Sequence, residues 1–268
     1  MPVQRHAPEP RRTHPLTVPW IRRHRDRLAV SAGLVGITVA AWVYVVVTAH
    51  RMATPGMDAM TGVKPWTATE FVLTFAMWAL MMVAMMVPTA APMTLMYAAV
   101  ARKAAAQHDP LAPTFIFATG YITMWVIFSF VATASQHALD QAALLSPMMV
   151  SASAHLGAAI LIAAGLYQLT PLKNGCLKNC RTPAHFMSRY WRSGNLGAFR
   201  MGLRLGVYCV GCCWILMALL FVGGVMNLLW IAAIAIFVLL EKTIPFGDVS
   251  GRVAGAAMIL VGALSLAL

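Results

Sequence analysis

Seven apolar runs follow one another along the chain, at 28–48, 70–96, 113–135, 152–171, 202–224, 225–244 and 250–268, with short polar or basic segments between them. A helix rises 1.5 Å per residue and the hydrocarbon core of a bilayer is about 30 Å thick, so about 20 apolar residues cross it. Each run reaches or nearly reaches that length, the last being the shortest. The pattern predicts an all-α fold, a polytopic transmembrane helix bundle of about seven spans that forms one domain over 28–268. Only Gly223-Gly224 separates the fifth run from the sixth, which predicts a tight helical hairpin there. Pro88 and Pro92 should kink the second helix near its inner end and free backbone carbonyls that a neighbour must satisfy.

Composition agrees with this reading and excludes others. Of 268 residues, 60% are apolar and 10% charged, and the mean hydropathy is +0.73. A soluble domain is about 45–50% apolar and about 25% charged, so neither a water-soluble enzyme nor a disordered chain fits. The net charge of +12 would suggest nucleic acid in a soluble protein. Here the basic residues lie between apolar runs, so they report orientation and no nucleic-acid partner is expected. With the N-terminus cytoplasmic, the inner segments hold 18 Lys and Arg and the outer ones only Arg51 and Lys64. That split predicts the N-terminus inside and, after seven spans, the C-terminus outside. Residues 1–27 carry seven arginines, three histidines and several prolines, and are expected to be a disordered arm docked on anionic lipid headgroups. Arg11-Arg12 invites a twin-arginine export reading. The following apolar run starts only at Leu28 and lacks a small-residue cleavage site, so a retained signal anchor fits better.

Soft metal ligands are distributed unevenly on this topology. The first outer loop holds His50, Met52, Met57, Asp58 and Met60, and the second outer segment His137, Asp140, Met148, Met149 and His155. Met and His survive an oxidising compartment that would oxidise exposed thiols, although loop methionines are also common without a role. The second span contains Met77, Met81, Met82, Met85, Met86, Met93 and Met96. Six of them, Met77 excepted, fall within one half of the helix at 100° per residue. Thioethers suit Cu(I), but methionine is equally an adaptable filler between helices.

The five cysteines are Cys176, Cys180, Cys209, Cys212 and Cys213, an odd, clustered set unlike a secreted disulfide framework. In "YCVGCCWILM" the last three share a helix face near the midplane, at a depth similar to Met81 and Met85. As thiolates they would suit Cu(I) or Zn(II). The alternative is a packing face, because Gly202, Gly206, Cys209 and Cys213 form one small-residue stripe. Cys176 and Cys180 in "NGCLKNC" sit in the basic cytoplasmic loop and could hold one soft ion on a helical turn, with His185 as a third ligand. Glu241 ends the sixth run beside Lys242. Pairing with Lys242 or Arg204, or a place in an ion path, would each explain a carboxylate there. Trp78-Ala79-Leu80-Met81 echoes Trp214-Ile215-Leu216-Met217 in a span of opposite direction, as an inverted repeat would. No nucleophile elbow, phosphate loop, dinucleotide fingerprint or zinc-protease motif is present, so neither an enzyme activity nor an organic cofactor is expected.

The runs "FAMWALMMVAMMVPTAAPM" (75–93), "AGLYQLTPLKNGCLKNCR" (164–181), "GLRLGVYCVGCCWILMALLFVGGVMN" (202–227) and "LLEKTIPFG" (239–247) resemble a bacterial domain-of-unknown-function family. Its members are described as predicted metal-binding integral membrane proteins, some of them labelled copper chaperones. The likeness covers roughly residues 50–265 and takes in the Met-rich span, Cys176 and Cys180, the Cys209, Cys212 and Cys213 face, and Glu241. The outer loop "HRMATPGMDAMTG" is poorer in Met-Gly-Met repeats than the family pattern. The resemblance implies a multi-pass protein of the bacterial inner membrane that handles a copper ion. Its expected partners are the lipid bilayer, a protein that delivers or accepts the metal, and a second copy of the chain. On this reading His50, Met57 and Met60 meet the ion outside, and Met81, Met82, Met85 and Met86 pass it along. The three cysteines hold it, and Cys176 and Cys180 exchange it. A structural subunit of a membrane complex and a membrane thiol-redox protein are the competing classes.

Overall fold

The computed structural model describes residues 18–52, 66–106, 113–145 and 153–267, with side chains described from residue 28 onward except at 104–106. Its elements are α1 (Val18–Met52), α2 (Ala68–Ala106), α3 (Thr114–Gln141), α4 (Ala154–Gln168), α5 (Pro171–Arg181), α6 (Pro183–Tyr190), α7 (Gly194–Ala218), α8 (Leu220–Gly223), α9 (Leu228–Thr243) and α10 (Gly247–Ala267). No strand occurs among the described residues, and each apolar run of the sequence contains a helix. α1 is helical from Val18, inside the arm expected to be unstructured, while 1–17 lie outside the described residues.

Five helices are long and apolar enough to cross a membrane, and α4 with α5, bent by 65°, makes a sixth if the pair is one broken span. α4 has 15 residues and α9 has 16. At 1.5 Å per residue each is about 22–24 Å long, so these two of the seven expected spans fall short of a straight crossing. The bend follows from Thr170-Pro171. A residue before proline is pushed off the helical region, and Thr170 sits at φ −72°, ψ 146°. Its hydroxyl then caps α5, accepting from the Lys173 N–H at 3.3 Å.

α7 is the central helix. Of its apolar span 61% is buried against 11% for α1, and it packs on α3, α4, α5 and α9. α2 packs on α1, α3 and α9, and α4 packs on α10. The α3–α7 crossing is close because it is made of glycine: a Cβ at Gly202 would stand 1.9 Å from the Phe117 carbonyl oxygen. Gly202 and Gly206 of the small-residue stripe therefore serve packing on α3. The Gly223-Gly224 hairpin also forms, with Gly224 at φ +95°, Asn227 capping α9, and the Trp230 indole N–H donating to the Leu219 carbonyl at 2.7 Å.

The proline expectation in α2 is met at one carbonyl. Pro88 has no N–H for Ala84, and the Trp42 indole of α1 donates to the Ala84 oxygen at 3.1 Å. The tryptophans of the internal echo differ in setting. Trp78 is buried and donates to Gln136 at 2.6 Å, whereas Trp214 lies exposed. Outward faces are apolar, as with Val35, Ile37 and Val39 on α1 and Val249, Val253 and Leu260 on α10.

Candidate metal centre

Three elements build the centre. On α5 the positions Lys173, Cys176, Leu177 and Cys180 recur at intervals of three and four, so one face presents all of them. That face lies on α7 and touches α9. On α7 the same spacing gathers Cys209, Cys212 and Cys213, all buried. α9 buries Ile231, Ile234, Ala235 and Val238, and continuing that stripe brings Glu241 and Lys242 into the interior.

The α5 and α7 cysteines face each other as a result. Cys180 lies within interaction range of the Cys209 and Cys212 thiols. Cys176 lies over Gly211, where a Cβ would stand 2.8 Å from its Sγ, and within electrostatic range of Cys212. The Cys176 and Cys180 pair is thus not a separate loop station: the bend at Pro171 folds α5 back so that both helices share one thiol cluster. All five are free thiols. His185 does not join them, since α6 leaves it exposed.

Polar groups from three other helices close around Cys209. The Lys242 Nζ donates to Cys209 Sγ at 2.9 Å and to Thr89 Oγ1 at 3.2 Å. The Tyr121 hydroxyl sits 3.1 Å from the same sulfur and 3.0 Å from the Met86 carbonyl oxygen. Cys212 and Cys213 turn their Sγ atoms toward the Cys209 carbonyl, at 3.1 and 2.9 Å, in the back-bonding geometry helices offer small donors. Among the described residues no three or more His, Cys, Asp or Glu side chains stand as a ready metal cage. The donor set suits a soft ion that needs few ligands: three buried and two half-buried thiols, with an ammonium beside Cys209 to balance anionic sulfur.

The methionine stripe is buried apart from half-buried Met96, with Met81, Met82, Met85 and Met86 at most 1% exposed. Thr89 stands level with Cys209 through Lys242, and Trp78 packs on Phe221 with ring centroids 5.5 Å apart. α2 and α7 therefore run antiparallel. Met85 and Met86 come level with Cys212 and Cys213, and Met81 and Met82 lie one turn beyond. The hydrogen bonds linking α2 to the cluster are made by Thr89 and the Met86 carbonyl.

The outer ligand set is only partly described. Met57, Met60, Met148 and Met149 lie outside the described residues, and His50 is exposed in the last turn of α1. His137 and Asp140 share a partner in Trp66, whose ring lies 5.0 Å from the imidazole and whose indole donates to Asp140 at 2.8 Å.

Glu241 is paired, though not as the sequence suggested. Its carboxylate takes the ammonium of Lys173 from α5, both groups being at most 2% exposed. Lys242 faces another side, toward the thiols. Adjacent residues on a helix are about 100° apart, so one buried end can serve two clusters. α10 allows this through Gly251, where a Cβ would stand 2.4 Å from Glu241 Oε1.

Tyr121, Thr89, Lys173 and Lys242 are the centre's residues that sequence reasoning missed. For Lys242 a signal existed, because the apolar stripe of α9 extrapolates onto it. For Tyr121 and Thr89 none did. A family model described as copper chaperone (PpoB2) matches residues 75–265, a span that includes all five cysteines. The chain matches no curated protein and no solved structure.

Proposed function

Because the chain belongs to the copper chaperone family, we propose that it is an integral membrane protein that takes Cu(I) as cargo into the thiol cluster and relays it to or from a partner protein. The observation that carries this reading is the approach of the α5 cysteines to those of α7, where buried Lys242 donates to Cys209 at 2.9 Å. Soft thiolates select Cu(I), and thioethers are good copper donors but poor zinc ligands, which favours copper over zinc beside a methionine-lined helix. The membrane placement rests on the long apolar helices and their apolar outward faces, and the N-inside, seven-span orientation on the uneven distribution of Lys and Arg. In this scheme His50, Met57 and Met60 meet the ion outside. Met81, Met82, Met85 and Met86 offer weak intermediate donors. Cys209, Cys212 and Cys213 hold the ion together with Cys176 and Cys180, and the α5 pair, nearer the cytoplasmic side, exchanges it.

The test is copper bound per purified chain under reducing conditions, by competition with a chromophoric Cu(I) chelator, with thermal unfolding followed in parallel. The parent should bind Cu(I) saturably. Replacing Cys209, Cys212 and Cys213 together with alanine should abolish most of that binding while the fold persists, since the small-residue contacts with α3 are made by Gly202 and Gly206. A folded triple variant that binds as much Cu(I) as the parent would sink the proposal.

A further inference from the structure

Lys242 is 8% exposed, deep in an apolar core, and an isolated ammonium there is costly. Every carboxylate whose side chain is described is engaged elsewhere. Glu241 pairs with Lys173, Asp248 with Arg181 at 2.5 Å, Asp140 accepts from Trp66 at 2.8 Å, and Glu70 caps α2 through Thr67 at 2.6 Å. Among the described residues Lys242 therefore has no carboxylate at salt-bridge distance. Its hydrogen-bond partners are a hydroxyl at 3.2 Å and the Cys209 sulfur at 2.9 Å. A fixed positive charge aimed at a thiol implies that the occupied site is negative.

The thiols say how negative. Cys212 and Cys213 donate to the Cys209 carbonyl as thiols, which leaves Cys209, the acceptor of Lys242, and Cys180, within reach of it from α5, as the pair directed at a shared ion. A monovalent ion held by two thiolates carries one negative charge, and Lys242 brings the sum to zero. A divalent ion on the same two thiolates is already neutral, and Lys242 then leaves one uncompensated positive charge. In a low-dielectric interior the neutral sum is strongly favoured.

We propose that Lys242 is the fixed counter-charge of a two-thiolate site formed by Cys180 and Cys209, and that it sets a preference for monovalent over divalent soft ions. The inference rests on the copper reading above and deepens it by naming the residue that selects the ion's charge.

Cu(I) and Hg(II) are suitable probes, because both are soft and accept two thiolates but differ in charge. Binding of each to the full-length purified chain is measured by ligand competition for the parent, Lys242→Met, Lys242→Arg and Thr89→Asp. Lys242→Met should weaken Cu(I) binding about tenfold or more, the scale of a lost buried charged contact, and leave Hg(II) binding unchanged or tighter. Lys242→Arg should keep the parent's preference. Thr89→Asp retains the lysine but places a carboxylate against it, and should lower Cu(I) relative to Hg(II) as Lys242→Met does. This variant keeps the test decisive if Lys242→Met does not fold. The metal-free Lys242→Met protein should unfold no lower than the parent, since it loses a buried charge that has no carboxylate partner. Equal losses for both ions, or no loss for Cu(I), overturn the inference alone. A parent that binds no Cu(I) overturns the copper reading with it.

Discussion

At the scale of single residues, the interior pairs its charges by geometry, not by proximity in sequence. Glu241 and Lys242 are neighbours in the chain, yet one holds Lys173 and the other Cys209. Breaking a buried pair from one side strands the other charge, at a cost of about 3–5 kcal/mol, whereas replacing both partners with apolar groups is often neutral. Glu241→Gln should therefore lower the thermal midpoint markedly, and Lys173→Met combined with Glu241→Leu should recover most of the loss. Copper bound per folded chain should stay at the parent level in both, because neither residue touches a thiol-bound group. Thermal unfolding and chelator competition read the two quantities independently. If copper falls in Glu241→Gln while the midpoint holds, the carboxylate belongs to the ion's path and is not a strut.

Among the elements, α5 decides whether there is a cluster at all. Its apolar content is low, and what fixes it is the Thr170-Pro171 cap, the Lys173 ion pair, and Arg181 at its end, which donates to the carbonyls of Ile244 and Pro245 at 2.6 and 2.7 Å. It can lie against α7 because residue 211 is glycine, with Cys176 Sγ over it and the Tyr167 hydroxyl donating to its carbonyl. A valine at 211 would drive its Cβ into Cys176 and push α5 outward. Overpacking of this kind costs about 1–3 kcal/mol, so Gly211→Val should fold with a modest loss of stability. Its Cu(I) affinity should nevertheless drop as far as that of Cys180→Ser, because Cys180 moves with the helix. An unchanged affinity would mean that α7 alone supplies the ligands.

For the whole molecule, the distribution of Lys and Arg makes a topological prediction that the helices leave open. Single cysteines in a background lacking the native five should be labelled from outside intact cells at Met57 and Met148, and only after permeabilisation at His108 and Lys178. Labelling of position 178 from outside would reverse the orientation and with it the direction of any relay. α4 and α9 are the spans to watch in such a scan. Both are short, and α4 continues into α5 only through a 65° bend.

Sequence alone determined the helical class, the approximate helix positions, the hairpin at Gly223-Gly224 and the proline-freed carbonyl of α2. These depend on hydropathy over about 20 residues or on one residue's backbone chemistry, both local properties. It also placed the cysteines of each group on one helix face, since cysteines at spacings of three and four must share a face wherever the helix goes. It did not show that the two cysteine groups form one cluster, that His185 stays outside it, or that Lys242 and not Glu241 faces the thiols. Lys242 and Cys209 are 33 positions apart, and Lys173 and Glu241 are 68 apart. Whether they meet depends on the bend at Pro171, the rotation of α9 about its axis, and the close approach of α5 to α7 at Gly211. Those are relations between helices, fixed by packing, and only the tertiary structure decided them.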